Sequence, residues 1–156
     1  MSLEKVKNYL KNFNKDGEII ELSESSATVE LAAKALNVAP ERIAKTLSFK
    51  TDDSCILIVT AGDSKIDNKK FKNYFNFKAK MLNPDEVILL TGHEIGGVCP
   101  FATPENVKIY CDISLKRFNT IYPACGSRNS AIKLTCDELF QISKACDWID
   151  VCKDWS

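Results

Sequence analysis

Cys55-Ile-Leu-Ile-Val-Thr-Ala61 is a run of strand-forming residues with apolar side chains at both odd and even positions. A strand that is apolar on both faces has to be covered on both, so this run is expected at the centre of a sheet. Just before it, Thr46-Leu-Ser-Phe-Lys50 is a second strand-forming run, and Thr51-Asp-Asp-Ser54 between the two has the polar composition of a turn. Together they predict a hairpin. Gly62-Asp63 then breaks the central strand.

Outward from this hairpin, helix signals alternate with short strands. On the N-terminal side, Val6, Tyr9, Leu10 and Phe13 recur at helical spacing and predict a helix over residues 3–13 that Gly17 ends. Residues 18–22 read as a short strand. Thr28 is an N-cap for a helix with the stripe Val29, Ala32, Ala33 and Leu36, closed by Asn37. Pro40 suits the first turn of a brief helix over 40–44.

On the C-terminal side, Asp67 caps a helix of about ten residues with Phe71, Tyr74, Phe75 and Lys78 on one side. Asn83-Pro84-Asp85-Glu86 opens another, which Gly92 closes. Strands are expected at 107–111, 120–124, 131–134 and 148–152, with a turn or short helix at 115–118. Thr135-Cys-Asp-Glu138 is a capping box for a last helix with Leu139, Ile142, Ser143 and Cys146 on its inner side. Six or seven strands and about five helices make one α/β (α+β) domain over residues 1–156, its sheet mixed, barrel-like and flanked by helices.

Composition excludes several classes. A chain of 156 residues buries about two-thirds of its unfolded surface, enough to stand without disulfide or metal. Apolar residues are 45% and charged residues 27%, the balance of an ordinary globular domain. No apolar run has the length of a membrane span and the first residues carry no signal segment, so a cytoplasmic protein without membrane contact is expected. The seven cysteines are odd in number and form no Cys-x-x-Cys pair, which argues against a disulfide framework and a zinc ribbon. His93 is the single histidine, so multi-histidine metal sites are ruled out and any Cys-His pair depends on this ring.

The stretch Thr91-Gly-His-Glu-Ile-Gly-Gly-Val-Cys-Pro-Phe101 combines glycines that permit φ > 0 and close approach with a rigid proline. It reads either as a tight packed turn or as a loop whose N–H groups point at a ligand. Lys45 is expected at the junction of a short helix and a strand, either snorkelling to solvent or holding a charge at a cleft mouth, with the Thr46 hydroxyl beside it. The turn Ala124-Cys-Gly-Ser-Arg-Asn129 is a plain hairpin connection or a second wall of the same cleft. Net charge is zero, with 21 basic and 21 acidic residues, yet Lys65, Lys69, Lys70, Lys72, Lys78 and Lys80 cluster around Phe71, Tyr74, Phe75 and Phe77. A solvated helix face and a phosphate-contacting patch both fit that pattern.

The order of these pieces resembles a known family. Lys45-Thr-Leu-Ser-Phe, the Ala61-Gly-Asp turn, Gly92-x-x-x-Gly96-Gly97-Val-Cys-Pro100-Phe and Cys125-Gly126-Ser-Arg are similar to the YbaK/EbsC and prolyl-tRNA-synthetase-associated editing domains, from about Ser25 to Cys152. The resemblance implies a barrel-like mixed sheet and a hydrolase that cleaves the ester between a wrong amino acid and its tRNA, assisted by the substrate's ribose hydroxyl and without metal or organic cofactor. It implies catalytic roles for Lys45, Gly96 and Gly97. Substrate contacts are expected at Thr28, Thr46, Val98, Cys99, Pro100, Cys125, Gly126 and Ser127, and tRNA contacts at Lys69, Lys70 and Lys72. Partners would be aminoacylated tRNA, above all proline tRNA, and an aminoacyl-tRNA synthetase. Where the cysteinyl-tRNA-deacylating branch has a serine and an acidic residue, this chain has Ala124 and Ala131; where the alanine-removing branch differs, this chain has Thr46. The amino acid removed is therefore left open.

Two other classes remain at this level. A thiol-dependent hydrolase would use Cys99 or Cys125 with His93 as base and would be abolished by iodoacetamide. A non-catalytic module would bind an aminoacyl end or a protein partner and protect a charged tRNA.

Overall fold

The structure, a computed structural model, describes residues 2–155. Along the chain follow α1 (Ser2–Lys11), β1 (Ile20–Glu21), α2 (Val29–Leu36), β2 (Ile43–Lys50), β3 (Cys55–Ala61), β4 (Lys65–Ile66), α3 (Asn68–Phe75) and α4 (Pro84–Thr91). Then come β5 (Lys108–Asp112), β6 (Thr120–Pro123), β7 (Ser130–Ala131), β8 (Leu134–Thr135), α5 (Cys136–Ser143), β9 (Trp148–Ile149) and β10 (Cys152–Lys153). Short 3-10 turns occupy Asp16–Glu18, Pro40–Arg42 and Ile113–Arg117.

β2 and β3 are the expected hairpin, paired from Ala44↔Ala61 to Lys50↔Cys55. They sit at the middle of a six-stranded sheet ordered β8-β6-β2-β3-β5-β9. β6 runs parallel to β2, β5 parallel to β3 and β9 parallel to β5, while β8 is antiparallel to β6. The sheet is mixed and curls into a half-barrel, as the sequence leads one to expect. Every residue of β3 is buried. Leu57, Val59 and Ala61 share one core with Val6 and Leu10 of α1 and Leu139 and Ile142 of α5, while Ile56 and Ile58 join a second core with Phe71 of α3. Alternation along one strand thus supplies two cores, and each fully buried large side chain contributes about 1.5–3 kcal/mol. A smaller group, Ala32 and Ala33 of α2 against Ile43, closes one end of β2.

Several boundaries differ from expectation. The α1 helix stops at Lys11, short of Phe13 and of Gly17; Asn14 takes the left-handed conformation (φ 58°) that follows it, since Asn tolerates that region, and the Lys15 N–H returns to Leu10 O. The 40–44 helix is only a 3-10 turn over Pro40–Arg42; β-branched Ile43 already lies beside Tyr122 of β6, so β2 starts earlier and Lys45 is inside a strand. The 18–22 strand shrinks to β1, and α3 ends at left-handed Asn76, short of the expected length. The 148–152 strand splits, because the buried Asp112 carboxylate accepts from Val151 N–H between β9 and β10. α5 ends at Ser143, so Cys146 lies beyond it and is exposed. Two-stranded ribbons β1–β7 and β4–β10 complete the fold; β1, β7 and β10 fall in or at the edge of runs expected as strands, and β4 does not.

Candidate functional site

A cavity of about 240 Å³ opens at the end of β2. Its walls come from the start of α2 (Thr28, Val29, Ala32), from β2 (Ile43 to Thr46 and Ser48), from the approach to α4 (Met81, Leu82, Val87) and from the glycine loop (Ile95, Gly96, Val98). Tyr122 and Ala124 of the β6 side and Ser130 and Ala131 of β7 close it. Ala124 and Ala131, the two alanines that set this chain apart from the cysteinyl branch, face one another across an isolated antiparallel bridge.

Lys45 lines this cavity while its ammonium donates to Ser64 O at 2.5 Å and Gly62 O at 3.4 Å. Burial pushes its pKa below the ordinary lysine value, and the Asp63 and Glu30 carboxylates act in the opposite direction. An ammonium has three N–H donors, so a third is left for a ligand. Thr46 follows it on the strand; its hydroxyl is buried and has no hydrogen-bond partner among the described residues. The Thr28 hydroxyl caps α2 by accepting from Leu31 N–H at 3.2 Å, and it keeps its own proton to donate.

The glycine loop is packed, and its glycines have separate reasons. Gly96 has φ +92°, and a Cβ there would come within 3.0 Å of the Ala27 methyl. At Gly97 a Cβ would lie 2.8 Å from Gly126 C and Ser127 N, so the two glycine turns meet backbone to backbone. The Gly97 N–H closes a turn on Glu94 O at 3.0 Å, whereas the N–H groups of Gly96 and Val98 have no acceptor among the described residues.

Of the expected site residues, Lys45, Thr46, Thr28, Gly96 and Val98 meet at the cavity. Cys99 and Cys125 are fully buried and outside its wall, because small apolar side chains in this chain fill the core. Pro100 lines a separate hollow beside Tyr9 and Lys144. Gly126 (φ +91°) packs against Ser2, and the Ser127 hydroxyl donates to Ser130 Oγ at 2.6 Å, so both support the wall from behind. The second turn is also stitched to residues 22–26, through Leu22 N–H to Asn129 O at 2.7 Å and Ser26 N–H to Arg128 O at 2.5 Å. That stitching brings Ser26 and Ala27 to the cavity, which no local signal in the sequence indicates. Ser48 was legible, two and four residues beyond Thr46 and Ala44 on the same strand face.

Lys69, Lys70 and Lys72 lie on α3, which covers the other face of the β2–β3 hairpin. Lys69 and Lys72 are exposed; Lys70 bonds Asp150 Oδ1 and Cys152 O, each at 3.0 Å. The aromatic residues among them form a ring cluster, with Phe71 at 5.0 Å from Phe49 and 4.6 Å from Phe75. Phe71 is fully buried and Phe75 and Phe77 pack partly buried against it, while Tyr74 is exposed with its hydroxyl donating to Asp147.

His93 and Cys99 do come together, at 3.6 Å, but not as a catalytic pair. His93 Nε2 faces Phe101 O at 2.8 Å, and a carbonyl only accepts, so this nitrogen carries the proton and cannot take one from the thiol. Nδ1 accepts from the Ser2 hydroxyl. Burial lowers the His93 pKa and pushes the Cys99 thiol up to about 12. Among the described residues no three His, Cys, Asp or Glu side chains group to hold a metal, and no helix is long and apolar enough to cross a membrane.

Residues 23–142 match the aminoacyl-tRNA editing domain family. The chain is 56% identical over 156 residues to the uncharacterized protein YwhH of Bacillus subtilis (strain 168), covering 99% of each. It is 30% identical over 124 residues to the proline–tRNA ligase of Geobacillus sp. (strain WCH70), 77% of this chain but only 22% of the ligase. Its fold superposes with a TM-score of 0.87 on a crystal structure proposed to be a trans-editing enzyme for prolyl tRNA synthetase, at 25% identity and 97% coverage of both chains. The cavity walls from Ser26 to Ala131 fall inside the matched segment, and the chain belongs to the aminoacyl-tRNA editing domain family.

Proposed function

We propose that this domain hydrolyses the ester joining a small, wrongly attached amino acid to a tRNA, with proline tRNA as the first candidate. The observation that carries this reading is that Lys45, whose ammonium keeps one N–H unspent, lines one small cavity together with Gly96 and Val98, whose main-chain N–H groups are unengaged among the described residues. In ester hydrolysis water adds to the carbonyl carbon, the carbonyl oxygen becomes an oxyanion, and collapse releases the amino acid and the terminal ribose hydroxyl. A cation and preorganised N–H donors stabilise that oxyanion. Lys45 supplies its third N–H, and Gly96 and Val98 supply main-chain N–H groups; Gly97 lets the two turns close. The substrate's neighbouring ribose hydroxyl assists the water, a role for which buried His93 is not needed.

Thr28, Thr46 and Val98 would border the amino-acid side chain, with Ala124 and Ala131 as an apolar wall. A second sieve of this kind answers a physical need, since one methylene changes binding by only about 1–3 kcal/mol. Exposed Lys69 and Lys72 are the proposed contacts for tRNA phosphates, and a proline–tRNA ligase is the proposed source of the mischarged substrate.

The test is deacylation of proline tRNA charged in turn with alanine, serine, threonine, cysteine and proline. Wild type should release one or two of the small residues and spare proline, and Lys45→Ala should be slower by on the order of 100-fold. Undiminished hydrolysis by folded Lys45→Ala would remove the lysine from the mechanism. Binding without release by the wild type would favour a non-catalytic module.

A further inference from the structure

An amine held by two main-chain carbonyls is only as well placed as the turn that carries them. The turn that holds Lys45, from Ala61 to Ser64, is clamped from both sides. On one side Gly62 lies so close to the Pro40 carbonyl that a Cβ would sit 2.1 Å from its oxygen. On the other side, the 3-10 turn Ile113–Arg117 reaches it twice. The Ser114 hydroxyl accepts from Ala61 N–H at 3.2 Å, and Arg117 grips Asp63 through both carboxylate oxygens, at 3.0 and 2.6 Å. Arg117 is itself fixed by its Nε–H to Ser114 O at 2.8 Å and by the rings of Phe118 and Trp155, 4.8 and 5.0 Å away. Both side chains of this ion pair are mostly buried, at 17% and 26% exposure.

Resting on the editing reading above, we propose that Asp63 and Arg117 are positioning residues for Lys45. Their forked pair locks the turn whose Gly62 and Ser64 carbonyls hold the ammonium of cavity-lining Lys45, and neither Asp63 nor Arg117 lines that cavity. A forked arginine–carboxylate pair fixes orientation as well as distance, which a single surface contact does not. The pair also sets the field at the amine. The groups that act on Lys45 are Asp63 from this turn, Glu30 from α2, Lys65 from β4 and the Cys152 thiol from β10. Asp63 supports the ammonium form against burial, while Arg117 masks part of the Asp63 charge.

The two halves of the pair therefore have opposite electrostatic effects and the same positional effect. Asp63→Asn should lower the Lys45 pKa, and Arg117→Gln should raise it, because the carboxylate is unmasked. Both should reduce kcat for deacylation by about tenfold or more, with KM within about twofold of wild type. The Lys45 amine is followed by heteronuclear NMR, its resonance assigned with Lys45→Arg, and folding is checked by circular dichroism. Opposite shifts of the Lys45 titration together with the shared loss of kcat support the proposal. A folded Asp63→Asn or Arg117→Gln protein in which Lys45 titrates as in the wild type, with wild-type kcat, overturns it; if one variant fails to fold, the other decides. Should the wild type deacylate no charged tRNA, the editing reading falls, while the two titrations still decide whether the pair governs the lysine.

Discussion

Gly97 is where a single hydrogen atom decides the site. A methyl there would press on the main chain of Gly126 and Ser127 at 2.8 Å, and main chain cannot swing aside as a side chain can. Gly97→Ala should separate the two glycine turns, cost about 1–3 kcal/mol in urea unfolding and lower deacylation with it. Gly17→Ala is the matched control: nothing lies within 4 Å of a Cβ at that position, so stability should stay within about 1 kcal/mol of wild type or rise. Lys45 and the glycines were legible as residues because their types and spacing are unusual on a strand and in a loop. Which N–H groups remain free was not legible: the engagement of Gly97 N–H by Glu94 O depends on the turn conformation.

At the scale of elements, helices announced themselves through their caps. Thr28 and Asn37 bound α2, Asp67 caps α3, and the capping boxes Asn83/Glu86 and Thr135/Glu138 open α4 and α5. A cap is a bond between a side chain and main chain a few residues away, so it is written locally. The pairing of the two-residue strands is not, since Ile20 pairs with Ala131 and Cys152 with Ile66 only after the chain has folded. The lysines of α3 separate by the same logic. Replacing Lys69 and Lys72 with alanine should reduce the slope of log K against log salt for tRNA binding by about 1.5, as expected for two phosphate contacts. Lys70→Ala should leave that slope nearly unchanged and instead loosen α3 from Asp150 and Cys152 O, by up to about 1 kcal/mol in thermal unfolding. An unchanged slope in the double variant would return both lysines to ordinary solvated surface.

For the whole molecule, stability should fall in two stages on acidification. Burial holds the His93 pKa below its unfolded value of about 6.5, so below that pH the unfolded chain takes up a proton the folded one resists, and stability declines. Asp63, Glu86 and Glu138 are held below the ordinary carboxylate range chiefly by hydrogen bonds from Arg117, Lys50 and Lys15, and Asp67 by main-chain N–H groups of α3. Their contribution is present above about pH 4 and is lost as pH falls through their lowered folded values. Calorimetry from pH 7 to pH 3 should record Tm dropping first near pH 6 and again below pH 4; a Tm flat between pH 7 and pH 5 would mean that His93 is protonated in the fold. By itself the sequence determined the central hairpin, the caps, the mixed curved sheet and the motif order that marks an editing domain, because periodicity, capping and turn chemistry act over a few residues. Only the tertiary structure decided that Ser26, Tyr122, Ala124 and Ala131 share a cavity with Lys45, that Cys99 and Cys125 do not, and that Arg117 grips Asp63 beneath the lysine. Those contacts join segments far apart in the chain, and they form only where the curled sheet brings its strand ends together.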